Sequence, residues 1–428
     1  MPLLTLTILN PVWSVCDNPL LIKKILYLDK KKWMSKNWYK VSCTTTNEEI
    51  KKLVREQFDI PAKCGGYLKT LSKRFPEYKF EVKSWTRKEE ESYRKPIHNG
   101  SELLTGFIDR VQKYCATINV DCTVTGATEF PPDNDPYLEG VTPREDQLRL
   151  VQNAIRKQRG FLVSPTGSGK TLIAAWIFSA YPSRKKLFLC HTISLLTQTY
   201  KEFTQLGFKC SMVSGNSKDI SGDIVIATIQ SFVKMKECYK QFEVVIADEV
   251  HHLSTFKGEW AEVLRSLYCP IRIGLTATPS KNQEAIMAVE GYLGPKIDDL
   301  SLIEGIKRDI LVKPKLRVIK VPSIKLHSKT YDKVYNEGII NNRLRNHLIM
   351  STAKECAEEG KTVLIFVSMI EHGNNLVNMG KLINFEALFI KGETGGDLRE
   401  EVKAALKEKS IKCVIATTIW KEGVNIPS

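Results

Sequence analysis

At 428 residues, with 43% hydrophobic and 26% charged side chains, the chain has room for two to four ordinary domains and the composition of a soluble globular protein. Its eleven cysteines stand singly, with no CxxC pair, which argues against zinc ribbons and a disulfide framework and for a reducing, intracellular, cytoplasmic setting. The formal charge of +15 favours a polyanionic partner, and no apolar run approaches the roughly 18 residues that a membrane span requires.

The opening MPLLTLTILNPVW lacks a basic start and is broken by threonines and prolines, so it reads as a strand and not as a signal peptide. Residues 1–138 form the first expected unit, a small accessory domain of mixed α+β pattern. Its pattern predicts short strands at LTLTIL and YKFEVKSW and helices over Asn47–Phe58 and Leu103–Ala116. Within it, Lys23–Lys40 interleaves seven lysines with Trp33, Trp38 and Tyr39. Lysines neutralise phosphates and aromatic rings stack on bases, so the stretch is either a nucleic-acid surface or a solvated β-hairpin with its tryptophans in the core. EFPPDNDPYLEG (Glu129–Gly140), rich in Pro, Asp and Asn, marks the best linker.

In the second unit, residues 139–310, short apolar runs (GFLVS, KLFLCH, FKCSMV, DIVIAT, FEVVIAD, IRIGLTAT) alternate with helical patterns. Runs apolar on both faces and separated by helices predict a parallel sheet covered on both sides. The third unit, residues 311–428, repeats the rhythm: helix Asn341–Glu359, KTVLIFVS, helix Glu371–Gly380, FEALFIKG, helix Leu398–Lys407, KCVIATT. Ligands of open α/β sheets sit at the carboxyl ends of the strands.

At one such end lies SPTGSGKT (Ser164–Thr171), between a strand and the helix LIAAWIFSAY. Pro165, Thr166, Gly167, Ser168 and Gly169 suit a loop whose backbone N–H groups turn inward around phosphates, with Leu172 in the first helical turn. Lys170 would reach the β- and γ-phosphates of ATP, and the Thr171 hydroxyl would bind Mg²⁺. Ser164 stands where the usual pattern begins with glycine. At another strand end, FEVVIADEVHH sets Asp248 to orient Mg²⁺ and Glu249 to polarise the attacking water. His251 is a weaker catalytic candidate, and His252 reads as packed or solvated.

SPTGSGKT, CHTISLLTQ, IATIQSF, DEVH, GLTATP and ATTIWKEGVNIP, in that order, resemble six successive motifs of superfamily-two helicases, and DEVH is similar to the DExH group. The resemblance covers Val141–Ser428. It implies an α/β fold of two tandem RecA-like P-loop NTPase domains, the second incomplete, preceded by the small α+β domain. It also implies an ATP hydrolase with ATP held in the cleft between the two domains. TPREDQ looks like the family's adenine-reading segment, with Gln147 on the purine and Arg144 beside it. Thr276 and Thr278 would couple the nucleotide site to strand movement. Thr192, Gln198, Thr228 and Gln230 would meet the nucleic-acid backbone from the first domain, and Gly392, Arg399 and Thr417 from the second. Gly423 and Asn425 would belong to the nucleotide-side loop of the second domain, with Asn425 standing where many relatives have aspartate. Each threonine or glutamine could instead be a cap at a strand-to-helix turn.

Relatives follow EGVNIP with a motif containing Q and GRxxR whose arginines face the γ-phosphate, and none occurs before Ser428. The chain is therefore expected to be a fragment, or else a natural degenerate form, that binds ATP yet hydrolyses it slowly. YRKPIHNGSELLTGFIDRVQKYCATINVDCTVTG and NNRLRNHLI resemble the UvsW-like phage recombination helicases, beside the XPB-like translocases. That likeness implies a motor on branched or duplex DNA, in recombination, repair or replication. A restriction-system motor subunit, an RNA helicase, and a nucleic-acid-binding protein with a silent nucleotide site remain as alternatives.

Overall fold

The computed structural model describes residues 3–54, 57–58, 61–126, 130–322, 324, 330–391, 401–402, 404–406 and 408–417. The N-terminal region holds β1 (Leu3–Ile8), β2 (Trp13–Cys16), β3 (Tyr27–Cys43), β4 (Gln57–Phe58), β5 (Phe80–Pro96), β6 (Glu102–Leu104) and β7 (Asp121–Thr125). They make two sheets, of order β6-β2-β1-β7 and β4-β3-β5. In the first sheet β1 pairs in parallel with β7, while β1–β2 and β2–β6 are antiparallel. In the second, β3 and β5 pair without interruption from Tyr27↔Pro96 to Cys43↔Phe80. Seventeen paired residues make a ribbon of roughly 55 Å at about 3.3 Å each. At its far end Val41, Ile50, Val54, Cys64 and Leu71 bury a small core of their own.

Three expectations for this region change. Lys23–Lys40 is not a hairpin: its first residues finish the helix Pro19–Ile25, and the rest runs as one strand whose partner lies some fifty residues downstream. The helix expected over Asn47–Phe58 starts on time, because the Asn47 side chain accepts the Glu49 and Ile50 N–H groups, but it ends at Leu53. Gln57 and Phe58 then pair with Lys40 and Tyr39, so sheet pairing overrides helix propensity there. Leu103 and Leu104 lie in a strand paired with Ser14 and Trp13, and the helix begins only at Ile108.

The second unit contains β8 (Arg159–Val163), β9 (Lys186–Cys190), β10 (Cys210–Val213), β11 (Ile224–Thr228), β12 (Val244–Ala247), β13 (Ile271–Thr276) and β14 (Lys296–Asp299). Their order is β10-β11-β9-β12-β13-β8-β14, and every pairing is parallel. β9, β11, β12 and β13 are buried along their whole length, as strands covered on both faces must be. β14, of sequence KIDD, is too polar to read as a strand and adds an edge beside β8.

The N-terminal region shares a core with this domain: Leu104, Phe107 and Val111 pack in one cluster with Met287, Tyr292 and Leu293. Gly106 lies against the backbone of the helix Gln283–Leu293, where an added Cβ would meet the Glu290 carbonyl oxygen at 2.0 Å. Arg110 clamps the same helix, its Nε donating to Glu290 at 2.9 Å and its Nη2 to the other carboxylate oxygen. The stretch expected as a linker is packed too, with Leu138 buried in the core of the second unit and Asp133 accepting from Ser183.

In the third unit β15 (Val363–Val367), β16 (Leu388–Ile390) and β17 (Cys413–Thr417) form a parallel sheet of order β15-β17-β16 among the described residues. The helices Arg343–Glu358, capped by Asn342, and Ile370–Leu382 flank it. Half of the helix expected at Leu398–Lys407 lies outside the described residues, and its described residues, 401–402 and 404–406, are helical. Among the described residues no helix is long and apolar enough to cross a membrane, and no group of three or more His, Cys, Asp or Glu could hold a metal.

Candidate nucleotide site and strand-facing edge

Because the seven strands run parallel, their carboxyl ends gather at one edge of the sheet. β8 ends at Val163, and the chain turns through residues 164–169 into the helix Lys170–Ser179. Gly167 and Gly169 make that turn at φ +83° and +86°, a left-handed conformation that costs a residue with a Cβ. Gly169 has a second constraint: a Cβ there would lie 2.6 Å from Gln147 Nε2. The loop is braced from within by the Ser164 and Ser168 hydroxyls, 2.5 Å apart, and by Ser168 Oγ donating to the Pro165 carbonyl. Thr166 and Gly167 are exposed at its crest, and Thr171 and Leu172 are partly exposed in the first helical turn. The unpaired N–H groups and positive dipole end of that helix favour an anion above the loop.

Arg144 Nη2 and Gln147 Nε2 both donate to the Ser168 carbonyl, at 2.6 and 3.1 Å, and Gln147 Oε1 accepts the Arg144 N–H. Gln147 is buried, and its amide ties the loop at Ser168 to the backbone of Arg144. Arg144 also pairs with Asp146 at 3.1 Å.

Lys170 Nζ lies 3.5 Å from the Ser164 carbonyl oxygen and 4.0 Å from Glu249 Oε1. The two acids follow β12, whose neighbours are β9 and β13. The Asp248 N–H bonds the Leu189 carbonyl at 2.8 Å, and Asp248 Oδ1 accepts the Glu249 N–H at 2.9 Å. Glu249 stands at φ +49°, a strained turn that swings its carboxylate toward Lys170. Burial, reinforced by the Glu249 charge, pushes the Asp248 carboxyl up to about 6 against the pull of Lys170. Burial would also raise Glu249, but the His251 hydrogen bond and the charges of Lys170 and two histidines outweigh it and hold that carboxyl below its usual range.

His251 Nδ1 is 3.3 Å from Glu249 Oε2 and 3.3 Å from the Thr276 hydroxyl. Thr276 Oγ1 accepts the Thr278 N–H at 3.2 Å, and the Thr276 carbonyl accepts the Ser164 N–H at 2.9 Å. His252 stacks on His191 at 4.0 Å and leans on His251 at 4.4 Å. Gln230 Nε2 approaches His191 Nδ1 at 3.4 Å. A continuous line of contacts therefore runs from Glu249 through the histidines to Gln230. His191 and His252 carried no signal as functional residues in the sequence; the clue was only that β9 and β12 are neighbours, so the residues after them meet.

Thr192 and Thr228 end up at the starts of the helices after β9 and β11, and their hydroxyls are engaged locally, Thr192 accepting the Leu195 N–H and Thr228 donating to Ser231. Gln198 donates to Glu202 one turn along its helix. Thr417 is the last residue of β17 in the second sheet. Gly392, Arg399, Gly423 and Asn425 lie outside the described residues.

The chemistry of this edge suits ATP and Mg²⁺: a glycine-turned anion loop carries Lys170 to 4.0 Å from Glu249, beside Asp248, and the Thr171 hydroxyl stands in the first turn of the helix that follows the loop. Residues 140–281 match the family model described as "Type III restriction enzyme, res subunit", and residues 341–428 match "Helicase conserved C-terminal domain". The chain is 24% identical over 348 residues to the "DNA 3'-5' translocase XPB2" of Sulfurisphaera tokodaii, covering 72% of this chain and 77% of that protein. It is 31% identical over 191 residues to the "Type I restriction enzyme EcoAI endonuclease subunit" of Escherichia coli, covering 40% of this chain and 23% of that subunit. Among solved structures it is similar to that of T4 UvsW, at 17% identity and a TM-score of 0.48 over 100% of this chain and 82% of the other.

A P-loop, a paired acid and two parallel-sheet domains matched by helicase models define the class as an ATP hydrolase of the helicase type. Within that class the chain resembles the superfamily-two helicases, the XPB-like translocases among them.

Proposed function

We propose that this chain is an ATP-driven DNA motor that works on branched or forked duplexes, by branch migration or fork remodelling, in recombination, repair or replication. The reading rests most on one observation, that Lys170 and Glu249 face each other at 4.0 Å on the loop-bearing edge of the sheet. Three units carry the work: residues 1–138 as an accessory DNA-binding domain, and residues 139–310 and 311–428 as the two motor domains.

In this reading the loop amides and Lys170 hold the triphosphate. Thr171 and Asp248 would hold Mg²⁺, which supplies charge neutralisation on the phosphate oxygens when bound. Glu249, kept ionised by His251 and Lys170, orients and takes a proton from the attacking water. Arg144 and Gln147 keep the loop in shape through the Ser168 carbonyl. Thr276 and Thr278, reached through His251, pass the state of the site to the neighbouring strand ends. Thr192, Gln198, Thr228 and Gln230 offer small polar groups suited to phosphate oxygens without reading bases. Thr417 does so on the second domain, with Gly392 and Arg399 assigned by resemblance alone. Gly423 and Asn425 are assigned to the nucleotide on the same basis.

DNA as the track is supported by the translocase relative and by charge: residues 27–96 hold 18 Lys and Arg against 10 Asp and Glu, a net +8 of the chain's +15. The test is ATPase activity with linear single strands, linear duplex, forks and four-way junctions. Branched DNA should stimulate most, and Lys170→Ala should abolish hydrolysis while sparing DNA affinity. Equal stimulation by linear duplex would favour a second reading, the motor part of a restriction system, which the family description and the EcoAI similarity support. Affinity for DNA that ignores ATP and survives Lys170→Ala, with no hydrolysis in the unsubstituted chain, would replace both by a binding protein.

A further inference from the structure

Opposite the P-loop, at the amino ends of β8, β13 and β14, the N-terminal region and the first motor domain form a cavity of about 610 Å³ that is open on one side to solvent. Pro11 of the β1–β2 turn and the helix Ile108–Thr117 wall one side, and Arg159, Pro270 and Pro295 wall the other. A concavity of this size at a junction between domains has the dimensions of a small-molecule site.

Its charge is one-sided. Lys113, Lys157, Arg159 and Lys296 line it against the single carboxylate of Asp109. Asp109 already pairs with Lys113 at 2.7 Å, and Lys296 pairs with Asp299 at 2.8 Å. Lys157 and Arg159 have no carboxylate partner among the described residues. Arg159 gives Nη1 to the Pro11 carbonyl at 3.0 Å and Nε to the Leu293 carbonyl at 3.2 Å, while its Nη2, shielded from solvent, has no acceptor.

Behind it lies Arg272, fully buried, which shares the Pro11 carbonyl at 3.4 Å and has no acceptor for its Nε. Two guanidinium groups thus converge on one neutral oxygen. Burial pushes Arg159 down to about 9, with Arg272 adding repulsion, and burial pushes Arg272 down to about 10. Like charges buried together without a counter-charge are costly, and an anion beside them would offset that cost. Phe130, Pro11 and Ile297 add apolar wall that suits a ring, beside the polar Asn10, Gln112 and Gln158.

We propose that this cavity binds a small organic anion, a phosphate or carboxylate carried on an apolar ring of about mononucleotide size, which Arg159 and Lys157 recognise. The proposal is independent of the reading of the P-loop edge. It predicts that ligand bridges the N-terminal region and the motor domain.

The probe is 1-anilinonaphthalene-8-sulfonate, an aromatic anion of suitable size, titrated by fluorescence into the full chain. Lys157→Glu, which reverses a lining charge, should weaken binding about tenfold or more, the scale of a hydrogen bond to a charged group. Gln112→Trp, which fills the mouth of the cavity from an exposed position, should do the same, whereas Lys170→Ala should leave affinity within twofold. Displacement of the dye by inorganic pyrophosphate but not citrate assigns a phosphate ligand, and the reverse assigns a carboxylate. Binding within twofold of the unsubstituted chain in both cavity variants, loss of binding in Lys170→Ala, or displacement by neither anion would overturn the proposal.

Discussion

Replacing Gly169 by alanine tests how the phosphate loop is built. The new methyl would sit 2.6 Å from Gln147 Nε2, about 0.8 Å inside the 3.4 Å where ordinary contact begins, on a backbone at φ +86°. The left-handed conformation costs about 1–2 kcal/mol for a residue with a Cβ. Displacing the amide loosens its bonds to the Ser168 carbonyl and the Arg144 N–H, at about 0.5–1.5 kcal/mol each. Together the loss is about 2–5 kcal/mol, and a loop so deformed should bind ATP at least tenfold more weakly. Chemical denaturation and ATP titration measure the two effects. The double variant Gly169→Ala with Gln147→Ala removes the clash, so it should be less destabilised than the sum of the single variants by about 1–2 kcal/mol. Strict additivity, or a single variant within 0.5 kcal/mol and twofold of the unsubstituted chain, would refute the bracing of the loop by Gln147.

Glu249→Gln should keep ATP affinity and lower phosphate release by about 10²-fold or more; a loss under tenfold would remove Glu249 from water activation. Arg110→Ala strands the nearly buried Glu290 carboxylate and should cost about 2–3 kcal/mol in a denaturant titration, discounted from a fully buried pair because Arg110 is 37% exposed. A cost below 0.5 kcal/mol would show that apolar packing alone holds the junction. Affinity for single-stranded DNA should fall with salt at a log–log slope of about −0.7 per phosphate neutralised, and a flat response would count against the basic surface as a track.

The motor edge was legible because its information is local. A glycine loop between an apolar run and a helix, or two acids after FEVVIA, declare both their element and their position on it. The strands of the two parallel sheets were readable for the same reason, with β14 missed because KIDD shows no apolar pattern. What the sequence hid was non-local. The β3–β5 ribbon pairs residues up to 69 positions apart, so neither strand announces its partner. Leu103 and Leu104 fit a helical spacing as readily as the strand they occupy. The stack of His191 on His252 depends on which strands are adjacent, and the convergence of Arg159 with Arg272 on Pro11 depends on how the N-terminal region docks.

That docking has a practical meaning for anyone trimming the molecule. Phe107, Leu104 and Val111 are as much the motor's interior as its own Met287 and Tyr292, and Gly106 lies flush on the Glu290 carbonyl. Cutting the chain near residue 138 to obtain a minimal ATPase would strip an oily flank bare and leave Glu290 facing water where Arg110 had been. Such a cut piece should clump or refold poorly, and biochemical work on the nucleotide site is better served by point substitutions in the whole polypeptide.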